Sequence, residues 1–220
     1  HNLFILQDAA QSLGGVFFGK PLGAQTAISS MSFHMAKVMT SVEGGMVFTH
    51  DENIAKELRI RRNQGESGKY LHSHLGTNAR ITDVSAAIGL AQFEKLPMLL
   101  EERQRVADKY DSHFQNHSNI EIMKCLHPNS KKANFFYPIL VGNRNNVVEH
   151  LSSKGIDTRI AYPMPVYAQE LYRSGRADFR KTECPVAERF TSQVINLPIY
   201  PSLTNKKIDE IAYEIIKVCE

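Results

Sequence analysis

The sequence predicts an α/β domain followed by a smaller α+β domain, and three observations indicate this. Short apolar runs alternate with helix-period patterns over the first half of the chain. The pattern changes near Asn116, after a long charged helix. Hydrophobic residues make up 42% and charged residues 22% of the 220 residues, which suits packed cores. We therefore expect domains over residues 1–115 and 116–220.

Three apolar runs predict strands of the first domain: residues 3–6, 27–33 and 46–49. We expect the first strand to be buried, with Asp8 just beyond its carboxyl end, where open α/β sheets bind ligands. Asp51 and Thr82 are residue types that cap helices, so helices are predicted to follow each. Residues 64–77 read as a loop, and Pro97 precedes a helix over 99–114.

The second domain is predicted to contain strands at 134–141 and 156–161 and a helix at 145–153. Pro185 begins a further helix, since proline is tolerated in the first helical turn. The last helix has one apolar face, formed by Ile208, Ile211, Ala212, Ile215, Ile216 and Cys219.

Composition argues against several functional classes. The net charge of +3 is small and no apolar run could span a bilayer, so we expect neither a nucleic-acid nor a membrane partner and a cytoplasmic location. The three cysteines lie far apart and predict no metal site. Because the chain opens directly on an apolar run, we expect that an N-terminal part of the large domain is missing.

Three residues together suggest a cofactor. Lys37 lies between a predicted strand and the Gly44–Gly45 turn, Asp8 follows the first strand, and Ser32 precedes Lys37. Pyridoxal phosphate needs a lysine amine for its aldehyde, a carboxylate for its ring nitrogen and hydroxyls for its phosphate. Each residue alone has an ordinary alternative: a surface lysine, a turn aspartate, a strand-end serine.

Five segments together resemble the DegT/DnrJ/EryC1/StrS family of sugar aminotransferases over essentially the whole chain. They are residues 8–14, 32–37 with 43–45, 75–80 leading into 83–92, 162–172, and 184–188 with 197–198. The resemblance implies pyridoxal-phosphate transferase fold type I, like aspartate aminotransferase. The large domain would be N-terminally incomplete, and the small C-terminal domain would be α+β.

The resemblance also implies roles for five residues. Lys37 matches the lysine that bonds the cofactor and moves the proton. Asp8 matches the acid on the pyridine nitrogen, Gln11 the glutamine near the ring hydroxyl, and Ser32 a phosphate-binding serine. Asn78 matches an asparagine that reaches the phosphate from the neighbouring subunit, which implies a homodimer with its active site at the interface.

Substrate contacts are assigned to His72, Arg80 and Tyr167. A structural salt bridge is an equal alternative for Arg80, and His74 is expected to face solvent. The sequence departs from the family at Gln7, where a glutamate is frequent, at Ala79, where an aromatic residue is usual, and at Tyr167, where a histidine is usual. These departures concern the substrate pocket rather than the cofactor set.

The implied activity is transfer of an amino group from glutamate to a nucleotide-linked keto sugar of the 4-keto-6-deoxy type. Residues 39–45 are more similar to members acting at C4 than at C3 of the sugar. Two alternatives stay open: a sugar dehydratase, whose members carry histidine in place of the lysine, and a non-catalytic or regulatory relative. The phosphate loop and stacking aromatic would precede residue 1, so weak cofactor binding is expected for this chain alone.

Overall fold

In the computed structural model, residues 1, 3–125, 127–178 and 183–220 are described. They form two compact units, here called unit 1 and unit 2. Unit 1 contains His1–Glu101 and Cys125–Phe135, and unit 2 contains Glu102–Lys124 and Phe136–Glu220. The predicted domain boundary at residue 115 stays a prediction. The boundary between the two units falls inside a long helix, and unit 1 also includes the short later segment Cys125–Phe135.

Unit 1 is built on a three-stranded sheet of β1 (Leu6–Asp8), β4 (Ile28–Ser32) and β5 (Gly45–Thr49). The central strand β4 runs parallel to β1, pairing Ser30 with Asp8, and antiparallel to β5, pairing Ser32 with Gly45. A hairpin of β2 (Val16–Phe17) and β3 (Lys20–Pro21) connects β1 to β4. The carboxyl ends of β1 and β4 therefore meet at one edge of the sheet.

Two predicted helices of unit 1 are confirmed. The first, α1 (Glu52–Arg62), begins where the Asp51 side chain accepts the amides of Asn53 and Ile54. The second, α2 (Asp83–Glu94), begins where Thr82 accepts the amide of Ser85. Both are side-chain caps that satisfy otherwise orphaned N–H groups.

Two expectations for unit 1 were wrong. Leu3, Phe4, Ile5 and Leu6 are exposed rather than buried, and only Leu6 of this run belongs to a strand, since β1 begins there. The predicted loop at 64–77 contains a small hairpin, β6 (Glu66–Gly68) and β7 (Leu71–His72).

The long helix α3 (Leu96–Phe114) starts in unit 1 and ends in unit 2. It begins three residues before the predicted start, because Pro97 occupies its first turn, where a missing N–H leaves no hydrogen bond unmade. On the unit 2 side its buried residues are Val106, Ala107, Tyr110 and Phe114.

Unit 2 contains an antiparallel sheet of β8 (Ile120–Ile122), β9 (Tyr137–Val141) and β10 (Val194–Leu197), with β9 in the middle. Its helices are α4 (Arg144–Ser153), α5 (Glu170–Arg173), α6 (Pro185–Gln193) and α7 (Asn205–Cys219), with a 3₁₀ turn at Val166–Ala168. The predicted strand at 156–161 was wrong: only Arg159 makes an isolated bridge, to Asn196.

The predicted apolar face of α7 is confirmed. Ile208, Ile211, Ala212 and Ile215 are buried in the main core, and Ile216 and Cys219 pack against it. This core also takes side chains from β8, β9, β10, α3 and α4. Unit 1 has a smaller core cluster, formed by Ala9, Met31, Phe33 and Met39.

Within the described residues, no helix is long and apolar enough to cross a membrane. The same residues contain no grouping of three or more His, Cys, Asp or Glu side chains suited to holding a metal ion.

Candidate active site

The carboxyl edge of the parallel pair β1–β4 collects the residues that the sequence singled out first. Asp8 is the last residue of β1 and Ser32 the last residue of β4. The ladder continues one step past Asp8, where the Ala9 amide donates to the Ser30 carbonyl at 2.8 Å. Lys37 follows Ser32 in a tight turn closed by its own amide, which donates to the His34 carbonyl at 2.9 Å.

Asp8 presents an exposed carboxylate that the backbone orients. Its Oδ1 accepts the Ala10 amide at 2.9 Å, as expected for an aspartate that begins a turn. The next residue of that turn, Gln11, is also exposed. Gln7, which stands where a glutamate is frequent in the family, brings no second carboxylate next to Asp8. Its Oε1 accepts the Gly23 amide at 3.2 Å.

Lys37 is half-buried, and its ammonium lies 4.9 Å from the centroid of the Phe135 ring. A cation over a ring face at this distance is stabilised by the ring quadrupole. Phe135 was not identified from the sequence, since it is 98 positions away and no local pattern links it to the lysine. It belongs to unit 1 through the segment Cys125–Phe135.

The loop between Lys37 and β5 is held in an unusual conformation. Val42 has φ +70°, a left-handed value that a β-branched residue rarely adopts. The buried Ser41 hydroxyl donates to the Glu43 carbonyl at 2.9 Å, and the Phe33 amide donates to the Gly44 carbonyl at 2.8 Å. Such strain persists where surrounding contacts fix the backbone, and it is frequent at functional sites.

His34 is a hydrogen-bonding neighbour of the turn that carries Lys37. Its Nδ1 accepts the Ala36 amide at 3.2 Å, and its Nε2 lies 3.6 Å from the Glu43 carboxylate. The Ser32 hydroxyl accepts the His34 amide at 3.4 Å. The turn that carries Lys37 is therefore braced by the side chains on either side of it.

Asn78 and Arg80 lie in the loop that follows the β6–β7 hairpin. The Asn78 backbone bridges to Asn63 at the end of α1, and its Oδ1 accepts Arg80 Nε at 3.1 Å. The expected alternative of an acidic salt-bridge partner for Arg80 is not what the structure shows; the contact is to an amide. Both side chains are exposed.

The two histidines of the hairpin region have different environments. His72 is exposed, and its Nδ1 donates to the Gln64 carbonyl at 3.1 Å. His74 was expected to face solvent, and that was wrong. Its Nε2 lies 3.1 Å from Glu57, its Nδ1 lies 2.7 Å from the Ser73 hydroxyl, and only 28% of its side chain is accessible.

Tyr167 lies in unit 2, within the 3₁₀ turn Val166–Ala168. Its exposed hydroxyl donates to Glu188 Oε1 on α6 at 2.6 Å. That hydrogen bond raises the pKa of Tyr167 to about 12, because ionisation would place a phenolate against a carboxylate. The phenol is thus a protonated, oriented group rather than an acid–base catalyst at neutral pH.

The donor set at the β1–β4 edge fits pyridoxal phosphate. An amine, a carboxylate and hydroxyls lie on the turns that leave two adjacent parallel strands, where α/β proteins bind such ligands. Asp8 would hold the ring nitrogen, Lys37 would bond the aldehyde, and Ser32 and its turn would face the phosphate. The fold is that of pyridoxal-phosphate transferases of fold type I.

Comparison with known proteins identifies the family. The sequence profile of the DegT/DnrJ/EryC1/StrS aminotransferase family matches residues 1–216, and the chain belongs to this family. Its enzymes are pyridoxal-phosphate-dependent aminotransferases.

Individual relatives agree with this assignment. GDP-perosamine synthase of Escherichia coli O157:H7 is 32% identical, over 100% of this chain and 57% of the relative. The UDP-4-amino-4,6-dideoxy-N-acetyl-beta-L-altrosamine transaminase of Helicobacter pylori is 29% identical, over 100% and 60%. The crystal structure of S. venezuelae DesV in complex with a ketimine intermediate superposes with a TM-score of 0.92 at 30% identity, over 100% and 59%. The chain thus spans under two thirds of each relative.

Proposed function

We propose that the protein transfers an amino group from glutamate to a keto sugar linked to a nucleoside diphosphate, with pyridoxal phosphate as cofactor. The observation that carries this proposal is the placement of Asp8, Ser32 and Lys37 at the carboxyl ends of one parallel strand pair. Aminotransferases that act on nucleotide-linked sugars match the whole chain, which supports the substrate class.

Pyridoxal phosphate supplies an electron sink that stabilises negative charge on the carbon bearing the amino group. The protein's part begins with Asp8, whose carboxylate keeps the paired ring nitrogen cationic. The Ala10 amide fixes the orientation of that carboxylate. Lys37 then acts as a positioned base and acid. It takes the proton from the carbon that bears the amino group and returns it to the carbon of the cofactor's former aldehyde.

Ser32 and Gln11 complete the cofactor set proposed for this chain. The Ser32 hydroxyl is held by the turn that carries Lys37 and can donate to an anionic phosphate oxygen. Gln11 lies on the turn after Asp8 and can reach a hydroxyl at the ring's edge. Both assignments predict contacts with the cofactor rather than with the sugar.

We further propose a homodimer in which Asn78 reaches the phosphate in the neighbouring subunit. In this chain Asn78 is tied to the end of α1 and to Arg80, and its side chain is exposed. That arrangement leaves the loop available to a second subunit. His72, Arg80 and Tyr167 are proposed substrate contacts.

The sugar is proposed to be of the 4-keto-6-deoxy type. The H. pylori relative is named for a 4-amino-4,6-dideoxy sugar, and residues 39–45 resemble members that act at C4. The dehydratase alternative is disfavoured by Lys37 itself, since a lysine stands where those members have histidine. A regulatory relative would lack turnover even when loaded with cofactor.

The full-length protein, loaded with pyridoxal phosphate, should convert more than one equivalent of glutamate to 2-oxoglutarate only when a nucleotide-linked 4-keto-6-deoxy sugar is present to take up the amino group. NMR of the product should show the new amine at C4. Lys37→Ala should lower turnover at least 1,000-fold, since it removes the group that transfers the proton, whereas Lys206→Ala on α7 should not change it. Turnover by Lys37→Ala near the wild-type rate would contradict the proposal, and a loaded wild type without turnover would favour a regulatory role.

A further inference from the structure

Unit 1 carries a cluster of three rings at the tip of the β2–β3 hairpin, here called the ring cluster. The Phe18 ring lies 3.8 Å from the His127 ring, centroid to centroid, and 4.5 Å from the Phe17 ring, edge to face. Phe17 and Phe18 remain 44% and 56% exposed. The cluster plays no part in the cofactor set described above, so its exposure needs a separate explanation.

The turn that presents these rings is strained. Phe18 and Gly19 have φ values of +49° and +75°, as in the primed two-residue turns of tight hairpins. Glycine and asparagine suit such positions, whereas a phenylalanine there is uncommon and unfavourable. Burial does not offset the strain, because more than half of the side chain is exposed. A ring kept in this position at the expense of stability indicates a binding role.

The hairpin is also held by hydrogen bonds from two other segments of unit 1. Val16 and Lys131 exchange two backbone hydrogen bonds, at 3.0 and 2.8 Å, and the Gly19 amide donates to the Asn129 carbonyl at 3.2 Å. Gln25 Nε2 donates to the Phe17 and Lys20 carbonyls at 2.9 and 2.8 Å. The rings therefore form a preorganised platform, and little ordering would be needed when a ligand stacks on it.

Two lysines lie close to the ring cluster, one on the hairpin and one on the segment that pairs with it. Lys20 is paired across the hairpin with Phe17, which places both side chains on one face, and Lys131 is exposed. Lys131 precedes Phe135 by four residues, so their Cα atoms are at most about 14 Å apart. The segment that pairs with the hairpin therefore also contains Phe135, whose ring lies beside the ammonium of the proposed catalytic lysine.

We propose that the ring cluster is the subsite for the nucleobase of the nucleotide-linked sugar. A nucleobase would stack on Phe18 and Phe17, with His127 behind them, while Lys20 and Lys131 attract the diphosphate. Stacking of bases on aromatic side chains tolerates different bases, because every base has a π face. This inference rests on the proposed function, because it assigns one end of the same substrate.

The test is equilibrium binding of UDP, GDP and dTDP to the full-length protein, with inorganic pyrophosphate as the ligand that lacks a base. At least one nucleotide should bind more tightly than pyrophosphate. Phe18→Asn suits the left-handed turn, so it should fold at least as stably as wild type while removing the ring. We expect it to weaken binding of that nucleotide about five-fold or more and to leave pyrophosphate binding unchanged.

Two further variants sharpen this test. Phe18→Tyr keeps a ring and should retain nucleotide affinity, and Tyr213→Asn removes an exposed aromatic from α7 and should have no effect. Equal affinity for nucleotide and pyrophosphate, or unchanged nucleotide affinity in Phe18→Asn, would overturn the proposal, as would equal losses in Phe18→Asn and Tyr213→Asn. The visible cofactor absorbance should persist in Phe18→Asn, so failure of this subsite can be distinguished from failure of the proposed function.

Discussion

The ammonium of Lys37 lies 4.9 Å from the ring centroid of Phe135, a residue 98 positions later in the chain. The ring stabilises the charged, unreacted lysine by about 0.5–1 kcal/mol, the usual range for partly exposed pairs. Phe135→Leu keeps an apolar side chain and removes the ring face. We therefore expect apparent affinity for pyridoxal phosphate to rise about two- to five-fold, measured by titration of the visible absorbance. A tenfold fall would show instead that the ring contributes to the cofactor site.

Asp8 provides a second test, because charge and hydrogen bonding can be separated there. Asp8→Asn keeps an oxygen that can accept the Ala10 amide but removes the charge that holds the ring nitrogen cationic. Reaction of the loaded protein with glutamate should slow by about 100-fold or more, while the cofactor stays bound to Lys37. Stopped-flow absorbance measures both. An unchanged rate would remove Asp8 from the proposed machinery.

Much of the local structure could be predicted from the sequence where a short-range signal exists. The caps at Asp51 and Thr82, the start of α6 at Pro185 and the apolar face of α7 are all confirmed. Each depends on residues within one or two turns of one another. The positions of Asp8 and Ser32 at strand ends could be predicted as well, whereas the parallel pairing that brings those ends to one edge came only from the structure.

What failed depended on packing between distant segments. The run at residues 3–6 has the composition of a buried strand, yet burial is decided by what packs on it; here the run is exposed, and the strand begins only at Leu6. The β6–β7 hairpin was missed because its turn uses Tyr70 at φ +63° rather than the expected glycine or asparagine. Phe135 near Lys37 had no local signature at all.

The core of unit 2 gives a prediction of stability. Ile211 on α7 is 1% exposed and packed in the main core, so Ile211→Ala removes buried methyl groups and leaves a cavity. It should lower the free energy of unfolding by about 2–5 kcal/mol. Urea denaturation followed by circular dichroism measures this change. Tyr213→Ala on the same helix is the control, since that ring is 63% exposed, and it should shift stability far less.

Asp209 on α7 predicts how stability depends on pH. Its Oδ1 accepts Lys109 Nζ and His113 Nε2, each at 2.7 Å, and these bonds lower the pKa of Asp209. A lowered folded-state pKa means that the ionised carboxylate stabilises the protein above its ordinary pKa of about 3.9. That contribution is lost as the pH falls through the lower folded-state value.

Asp209→Asn should therefore be less stable than wild type at pH 7, and the difference should shrink as the pH falls below about 4. Thermal melts across the range from pH 7 to pH 2.5 measure the difference, and Asp157→Asn, at an exposed loop position, serves as the matched control. A difference independent of pH would show that the side chain acts through packing alone.

The most direct test of the central claim is to reduce the full-length protein with borohydride in the presence of pyridoxal phosphate, digest it and locate the added mass. The account predicts a visible absorbance that borohydride abolishes and a cofactor mass on the peptide containing Lys37, with neither in Lys37→Ala and both in Lys206→Ala. Modification of another lysine, or a borohydride-sensitive absorbance that survives in Lys37→Ala, would contradict it.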